Sequence, residues 1–213
     1  MTFSLSTIHV LSRPRVLIDP LEWVSLKSIC SNKYMIILMA GLPGTGKTTL
    51  ARGLASQLSG RMRGQVPSRV LSKDEIRHTL FSAGEVEYTS QQDDFCQQVM
   101  LEIAGQLLRR NRKRVIFLDG RTFSRRYQID NVVNAAAALH QSWRILECVC
   151  TEDVARRRIE EQSASGEHPA ANRDFQLYLE VKSRFEAITL PKTVIDTAQP
   201  LAVCINQALA ALR

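Results

Sequence analysis

A short stretch of the chain has the residue types and spacing of a phosphate-binding loop, G-x-x-x-x-G-K-[ST]. It reads Gly41, Leu42, Pro43, Gly44, Thr45, Gly46, Lys47 and Thr48. Glycines let the backbone turn its N–H groups inward around phosphates, and the N-terminus of a following helix adds the positive end of its dipole. We expect Lys47 to reach the terminal phosphates, Thr48 to ligate magnesium, and Thr49 to complete a nucleotide site at the start of that helix.

The segments on either side of the loop are those that the motif requires. Residues 34–40 (YMIILMA) form a continuous apolar run, as in a strand covered on both faces, and residues 49–55 (TLARGLA) follow the loop with a helical pattern. A glycine-rich turn that matched the pattern by coincidence would not require a buried strand before it and a helix after it. The order of strand, loop and helix therefore predicts a nucleotide site at the end of a central strand.

An aspartate and an arginine follow the second predicted strand, at Asp74 and Arg77. Ligands of parallel sheets gather at the carboxyl ends of the strands, and a spacing of three residues puts both side chains on one side of a helix. Asp74 could take a proton from a hydroxyl, while Arg77 could hold an anion. The alternative is that Asp74 caps the helix and Arg77 is exposed on its first turn. The spacing alone leaves both open.

Asp119 ends a buried run, Arg114-Val115-Ile116-Phe117-Leu118-Asp119, that predicts another strand. A carboxylate at the end of a strand next to the loop-bearing strand can hold a magnesium-bound water. Asp119 could instead cap the next turn. We therefore expect Thr48 and Asp119 to be the protein groups nearest to the metal.

A charged helix predicted at 152–163 carries three consecutive arginines, Arg156 to Arg158, and Arg173 follows after a loop that contains His168. Successive helical residues point about 100° apart, so only one or two of the three arginines can face the nucleotide. A mobile segment beside a nucleotide site can bring an arginine onto a phosphate, where its planar donors stabilise negative charge. We expect Arg158 to fill this role, with Arg173 as the second choice.

Three features, the loop at 41–48, the Asp74/Arg77 pair and the arginine-bearing helix after the fourth strand, together resemble a group of P-loop kinases. The group comprises phage-type polynucleotide kinase, the zeta toxins and adenylylsulfate kinase, and the resemblance runs from about residue 34 to the C-terminus. It implies ATP and Mg²⁺ as cofactors, Asp74 as base on the acceptor hydroxyl and Arg77 as ligand of the acceptor's phosphate. It also implies that Phe123 and Ser124 line the acceptor pocket, although core packing is the stronger alternative for Phe123.

The implied activity is transfer of the γ-phosphoryl group of ATP to a hydroxyl. The acceptor would be a small molecule or the 5′-hydroxyl end of a nucleic acid. A nucleotide-dependent ATPase or switch that acts through a partner is the alternative, and a nucleic-acid module driven by the loop is a third hypothesis. The chain lacks the guanine-reading N-K-x-D pattern of many switch proteins.

Strands and helices alternate along the chain, which predicts an α/β three-layer sandwich with a five-stranded parallel sheet and a helical lid. We predict strands at 34–40, 69–72, 114–119, 143–150 and 193–196, and helices at 47–58, 74–81, 90–110, 124–140, 152–163, 174–188 and 201–212. The chain has 213 residues and 45% apolar content, enough for one core, so we expect one kinase domain at 34–213. Residues 1–33 are expected to be an extension: an ordered one, a flexible tail, or sequence upstream of a later start. Arginines and a lack of acids before Asp19 also resemble a transit peptide.

Charge and cysteine usage bear on partners and location. The net charge is +7, and the basic run 109–114 (RRNRKR) either attracts nucleic acid or is the solvated end of a helix. The five cysteines are scattered and odd in number, which favours reduced thiols in a cytoplasmic protein over disulfides or a zinc site. No apolar run approaches the roughly 20 residues of a membrane span, so no membrane partner is expected.

Overall fold

The structure is a computed structural model that describes residues 35–60, 66–165 and 174–212. The predictions for the extension at 1–33 and for Arg173 fall on residues outside these ranges.

A parallel sheet forms the centre of the molecule, in the order β2-β3-β1-β4-β5. Its strands are β1 (Met35–Ala40), β2 (Ser68–Ser72), β3 (Val115–Asp119), β4 (Ser142–Val149) and β5 (Thr193–Asp196). Every residue of β1 is buried, since strands on both sides and helices on both faces cover it. The five-stranded parallel sheet that the sequence predicts is confirmed.

Helices cover both faces of this sheet. They are α1 (Lys47–Leu58), α2 (Lys73–Leu80), α3 (Ser90–Arg110), α4 (Arg126–Ala138), α5 (Glu152–Ser165), α6 (Phe175–Ser183) and α7 (Leu201–Ala211). Alternate residues of β1 point to opposite faces, so Met35, Ile37 and Met39 pack with α1 and α7. Ile36, Leu38 and Ala40 pack with α3 and α4. These two apolar layers make the three-layer sandwich that was expected.

Two helices are clearly shorter than predicted, whereas the bounds of the others agree with the prediction to within two residues. The helix predicted at 174–188 ends at Ser183, and the chain beyond it places Phe185, Ile188 and Leu190 against the core between the sheet and α3 and α4. The helix predicted at 124–140 begins only at Arg126, because Arg125 before it has extended backbone angles, φ −128° and ψ 140°. In both places the apolar side chains pack from irregular chain.

Helices α5 and α6 form a small apolar cluster of their own with Ala155, Ile159 and Tyr178. They are the helices of the predicted lid. Within the described ranges, none of the helices combines the length and apolar character needed to cross a membrane.

Candidate active site

The glycine-rich loop leaves the end of β1 and passes close to the backbone of its neighbours. Gly41 and Gly44 both have positive φ, at 128° and 75°. A Cβ on Gly41 would lie 2.3 Å from the Cys148 carbonyl oxygen, and one on Gly44 would lie 2.8 Å from the Ala155 carbonyl oxygen. Only glycine fits here, which explains why the motif's glycines are needed for the loop to reach β4 and α5.

Lys47 is the first residue of α1, and its buried ammonium lies across the loop. Its Nζ donates to the Gly41 carbonyl at 2.9 Å and to the Leu42 carbonyl at 2.7 Å. Thr45 Oγ1 donates to the same Leu42 carbonyl at 2.7 Å. The loop thus curls around a cation, with the N-terminus of α1 beside it. This arrangement suits the phosphates of a nucleotide.

Asp119 ends β3, which pairs with the loop-bearing β1. The side chain is 1% exposed, and neither carboxylate oxygen has a partner in hydrogen-bond geometry among the described residues. Burial raises the pKa of the Asp119 carboxyl, and the adjacent Thr48 hydroxyl and Lys47 ammonium offset only part of the rise. A buried carboxylate with open oxygens beside a threonine hydroxyl is an oxygen donor set that fits Mg²⁺.

The Asp74/Arg77 pair lies where β2 passes into α2. Ser72, not Asp74, caps this helix, because its hydroxyl accepts from the Glu75 N–H at 3.3 Å. Arg77 is 1% exposed and donates through Nη1 to Asp74 Oδ1 at 3.2 Å. The alternative of a capping Asp74 with an exposed Arg77 is therefore wrong. The carboxylate is held by a buried guanidinium.

Two further residues that contact the Asp74/Arg77 pair, Lys73 and Asp93, were not identified from the sequence. Lys73 Nζ donates to Asp93 Oδ1 at 2.8 Å and lies 3.5 Å from Asp74 Oδ1. Arg77 Nη2 donates to the same Asp93 oxygen. Burial lowers the pKa of the Lys73 ammonium to about 8, although Asp74 acts in the opposite direction. Asp93 lies in the first turn of α3, and only the packing of α2 on α3 brings it here.

Of the three arginines in α5, Arg158 faces the loop. Its guanidinium donates to Thr197 through Nη1 to Oγ1 at 3.2 Å and through Nη2 to the carbonyl at 2.7 Å. Thr197 Oγ1 in turn donates to the Thr45 carbonyl at 2.9 Å, so it ties the end of β5 to the loop. Arg156 and Arg157 pair instead with glutamates of their own helix.

Two clefts open at this edge of the sheet. The larger, of about 550 Å³, is lined by the loop, Arg158 and Thr197. The smaller, of about 330 Å³, is lined by residues of α2, α3, α4 and α6 and by the chain after β3. The clefts share three residues, Lys47, Thr48 and Asp74. Two ligands bound in the two clefts would thus meet at the loop and the Asp74 carboxylate.

The remaining predicted positions divide between core, cleft and remote surface. Phe123 is 1% exposed in the core, while Ser124 lines the smaller cleft. The basic run 109–114 ends α3 and leads directly into β3, so it lies at the amino edge of the sheet. The length of β3, about 16 Å, separates it from Asp119.

The fold and this site define a P-loop nucleotide-binding protein with a kinase-type fold. A family model described as an AAA domain matches residues 36–188, and the chain belongs to that family. The match includes the loop, the Asp74/Arg77 pair, Asp119 and Arg158.

Solved kinases share this fold at low sequence identity. A putative kinase from Chloroflexus aurantiacus is 22% identical with a TM-score of 0.64, over 85% of this chain and 99% of that one. The APS kinase CysC of Mycobacterium tuberculosis, solved with AMPPNP and APS, is 14% identical with a TM-score of 0.63, over 84% and 98%. A gluconokinase from Sinorhizobium meliloti is 16% identical with a TM-score of 0.58, over 85% and 93%. No curated protein matches the chain.

Proposed function

We propose that this protein is an ATP-dependent kinase that phosphorylates a hydroxyl group. One observation carries the proposal: the nucleotide-sized cleft and the smaller cleft meet at Lys47, Thr48 and Asp74. A switch protein needs only the first cleft, whereas a kinase needs an enclosed second site for its acceptor. The kinase-type fold of the solved structures supports the same class.

The larger cleft holds ATP, with its phosphates on the loop 41–48 and Thr49, and the smaller cleft holds the acceptor. The acceptor's hydroxyl oxygen attacks the γ-phosphorus, the bond from that phosphorus to the bridging oxygen breaks, and ADP leaves. The hydroxyl proton passes to the Asp74 carboxylate and then to solvent. The products are the phosphorylated acceptor, ADP and a proton.

The cations of the site have separate roles in this proposal. Lys47 neutralises the β- and γ-phosphates, and Arg158 stabilises the nucleotide's phosphates from the side of α5. Arg77 holds Asp74 in place and faces the acceptor cleft. Magnesium, which Thr48 and Asp119 would hold, supplies further neutralisation of phosphate charge. Arg173 remains a second candidate for contact with the nucleotide.

We also propose a cytoplasmic location. In the described part of the chain Cys96, Cys148 and Cys204 are buried free thiols, and Cys150 is a partly buried one. Unpaired thiols in a core fit a reducing compartment.

The test is transfer of label from γ-labelled ATP to a panel of hydroxyl acceptors: sugars, nucleosides, adenylylsulfate and 5′-hydroxyl oligonucleotides. We expect ATP turnover to be low alone and to rise with one acceptor class, with the label recovered on that acceptor. Lys47→Ala should abolish nucleotide binding and turnover together, because the loop then lacks its cation. Release of free phosphate on addition of a protein or nucleic acid, without a labelled acceptor, would favour the ATPase or switch alternative.

A further inference from the structure

Arg121 is a buried cation that the proposed reaction does not use. It follows Gly120 just after β3, is 2% exposed, and lines the smaller cleft. Its Nη2 donates to Asp94 Oδ1 and, at 3.4 Å, to the Tyr127 hydroxyl. That hydroxyl lies 3.2 Å from both Asp94 oxygens. The guanidinium is thus fixed at one of its nitrogens by α3 and α4.

The other two nitrogens of this guanidinium remain open. Nε and Nη1 of Arg121 are buried and have no hydrogen-bond partner among the described residues. Arg77, in the same cleft, also has a buried Nε without a partner there. A buried donor without an acceptor destabilises the folded protein, and more so where the group is charged. A ligand in the cleft with acceptor oxygens can satisfy these donors.

The charges around the cleft indicate which acceptor group that ligand carries. Six cations line it: Lys47, which it shares with the larger cleft, and Lys73, Arg77, Arg121, Arg125 and Arg184. Two carboxylates line it, Asp74 and Asp93. Asp94, which pairs with Arg121, is not among the residues that line the cleft. Its side chain is 40% exposed, so solvent screens its charge. The cleft therefore has more cations than anions, and a neutral ligand would leave that excess uncompensated.

We propose that Arg121 binds an oxyanion group (phosphate, sulfate or carboxylate) of a small hydroxyl compound and thereby selects acceptors by charge. Arg77, for which the family resemblance already implies contact with an acceptor's phosphate, lines the same cleft. The planar guanidinium suits all three groups, because each offers several acceptor oxygens to its fixed donors. An acceptor anchored at Arg121 lies in the same cleft as Asp74, where its hydroxyl meets the base. Identifying this ligand as the phosphoryl acceptor rests on the proposed function, whereas the anion site rests on the contacts of Arg121.

The first experiment measures anion binding without catalysis. Sulfate is titrated by calorimetry into protein saturated with AMPPNP and magnesium, so that the phosphate-binding loop is already filled. We expect Arg121→Gln to weaken sulfate binding at least 10-fold. Arg112→Gln, which removes an exposed arginine at the opposite edge of the sheet, should leave binding unchanged. Equal sulfate affinity in the wild type and Arg121→Gln, or no sulfate binding by the wild type, would overturn the proposal.

A second variant guards against a folding defect in Arg121→Gln. Asp94→Asn removes the carboxylate that competes for Arg121 while keeping the side chain's size. It should therefore tighten sulfate binding, an effect opposite in sign to that of any loss of folded protein. Weaker binding in Asp94→Asn, with an unchanged melting temperature, would contradict an anion site at Arg121.

The second experiment separates this inference from the kinase proposal. Transfer from ATP is compared for matched acceptors: a sugar with its sugar acid, and a nucleoside with its 3′-monophosphate. We expect kcat/KM to favour the anionic member at least 100-fold, and Arg121→Gln to reduce that ratio mainly through KM. Equal transfer to both members would overturn the proposed selection by charge but would still support the proposed kinase activity. Sulfate binding that depends on Arg121, with no transfer to any acceptor, would support the anion site and overturn the kinase.

Discussion

At the scale of single residues, the proposed chemistry depends most on Asp74. Its carboxylate is held by Arg77 at 3.2 Å and lies at the junction of the two clefts. Ser72 caps the helix, so replacing Asp74 removes no cap. Asp93 still pairs with both Lys73 and Arg77 when Asp74 loses its charge. The charge of Asp74 can therefore be removed with little effect on the fold.

We expect Asp74→Asn to lower turnover by roughly 100-fold or more, the span usual for a general base, because the amide cannot take the hydroxyl proton. ATP affinity and thermal stability should stay close to wild type. Asp130→Asn is the matched control, since Asp130 is a carboxylate that pairs with an arginine of its own helix, away from both clefts. Steady-state kinetics with nucleotide titration and melting curves measure all three quantities. Activity near the wild-type level would leave Asp74 without a role as base.

Lys73 gives a prediction that does not depend on catalysis. Its folded pKa is about 8 against 10.5 ordinarily, with Asp74, Asp93, Arg77 and Arg121 around it. Between these values the unfolded chain binds the proton and the folded chain does not, so this group's contribution to the free energy of unfolding rises with pH. The free energy of unfolding of the wild type should therefore increase relative to that of Lys73→Met, by up to about 1.4 kcal/mol per pH unit from pH ~8 to ~10. Urea denaturation at several pH values measures it, and a constant difference would contradict the shifted pKa.

At the scale of elements, the glycine-rich loop is fixed by close contact with β4 and α5. Gly41→Ala should lower the free energy of unfolding by about 1–3 kcal/mol or more, because its φ is unfavourable and its Cβ would lie 2.3 Å from a backbone oxygen. Nucleotide affinity should fall with it, since the loop must move. Gly84→Ala is the control, as a Cβ there meets nothing within 4 Å. Chemical denaturation and nucleotide titration measure both variants, and a neutral Gly41→Ala would show that the loop tolerates displacement.

The elements also show how far the sequence could predict this structure. The continuous apolar runs of β1 and β3 identify them as strands, and the helical spacing of apolar residues across Ser90–Arg110 identifies a helix. These patterns lie within the segments themselves, and all three elements appear as predicted. The segment after Ser183 does not, since Phe185 and Ile188 are apolar through packing on the core and not through helical periodicity. Helix length was therefore overestimated where apolar spacing imitated a helix.

The candidate site likewise contains residues that could be identified from the sequence and residues that could not. Residues in the loop motif could be identified because their spacing is fixed by the phosphates they would surround. Asp93 and Asp94 could not, since their partners Arg77 and Arg121 are 16 and 27 residues away and meet them only through the packing of α3. Thr197 was missed for the same reason, because its contacts with Thr45 and Arg158 join distant parts of the chain.

At the scale of the whole molecule, the positive charge occupies two separate places. The cations of the smaller cleft lie at the carboxyl edge of the sheet, and the run 109–114 lies at the amino edge. Arg109, Arg110, Arg112 and Lys113 in that run are exposed. A polynucleotide bound to the run 109–114 would have to extend along the whole length of the sheet to place its end in the smaller cleft.

This separation predicts how acceptor affinity depends on salt. A small acceptor held by Arg121 and Arg77 forms only one or two ion pairs and carries no condensed counterions, so log KM against log salt should have a shallow slope of about 1 to 2. A nucleic acid that used the run would give a slope of roughly 5 or more. Replacing Arg109, Arg110, Arg112 and Lys113 together by glutamine should leave the acceptor KM and its salt dependence unchanged. A steep slope that this replacement abolishes would make the amino edge part of the substrate site and the acceptor a polynucleotide.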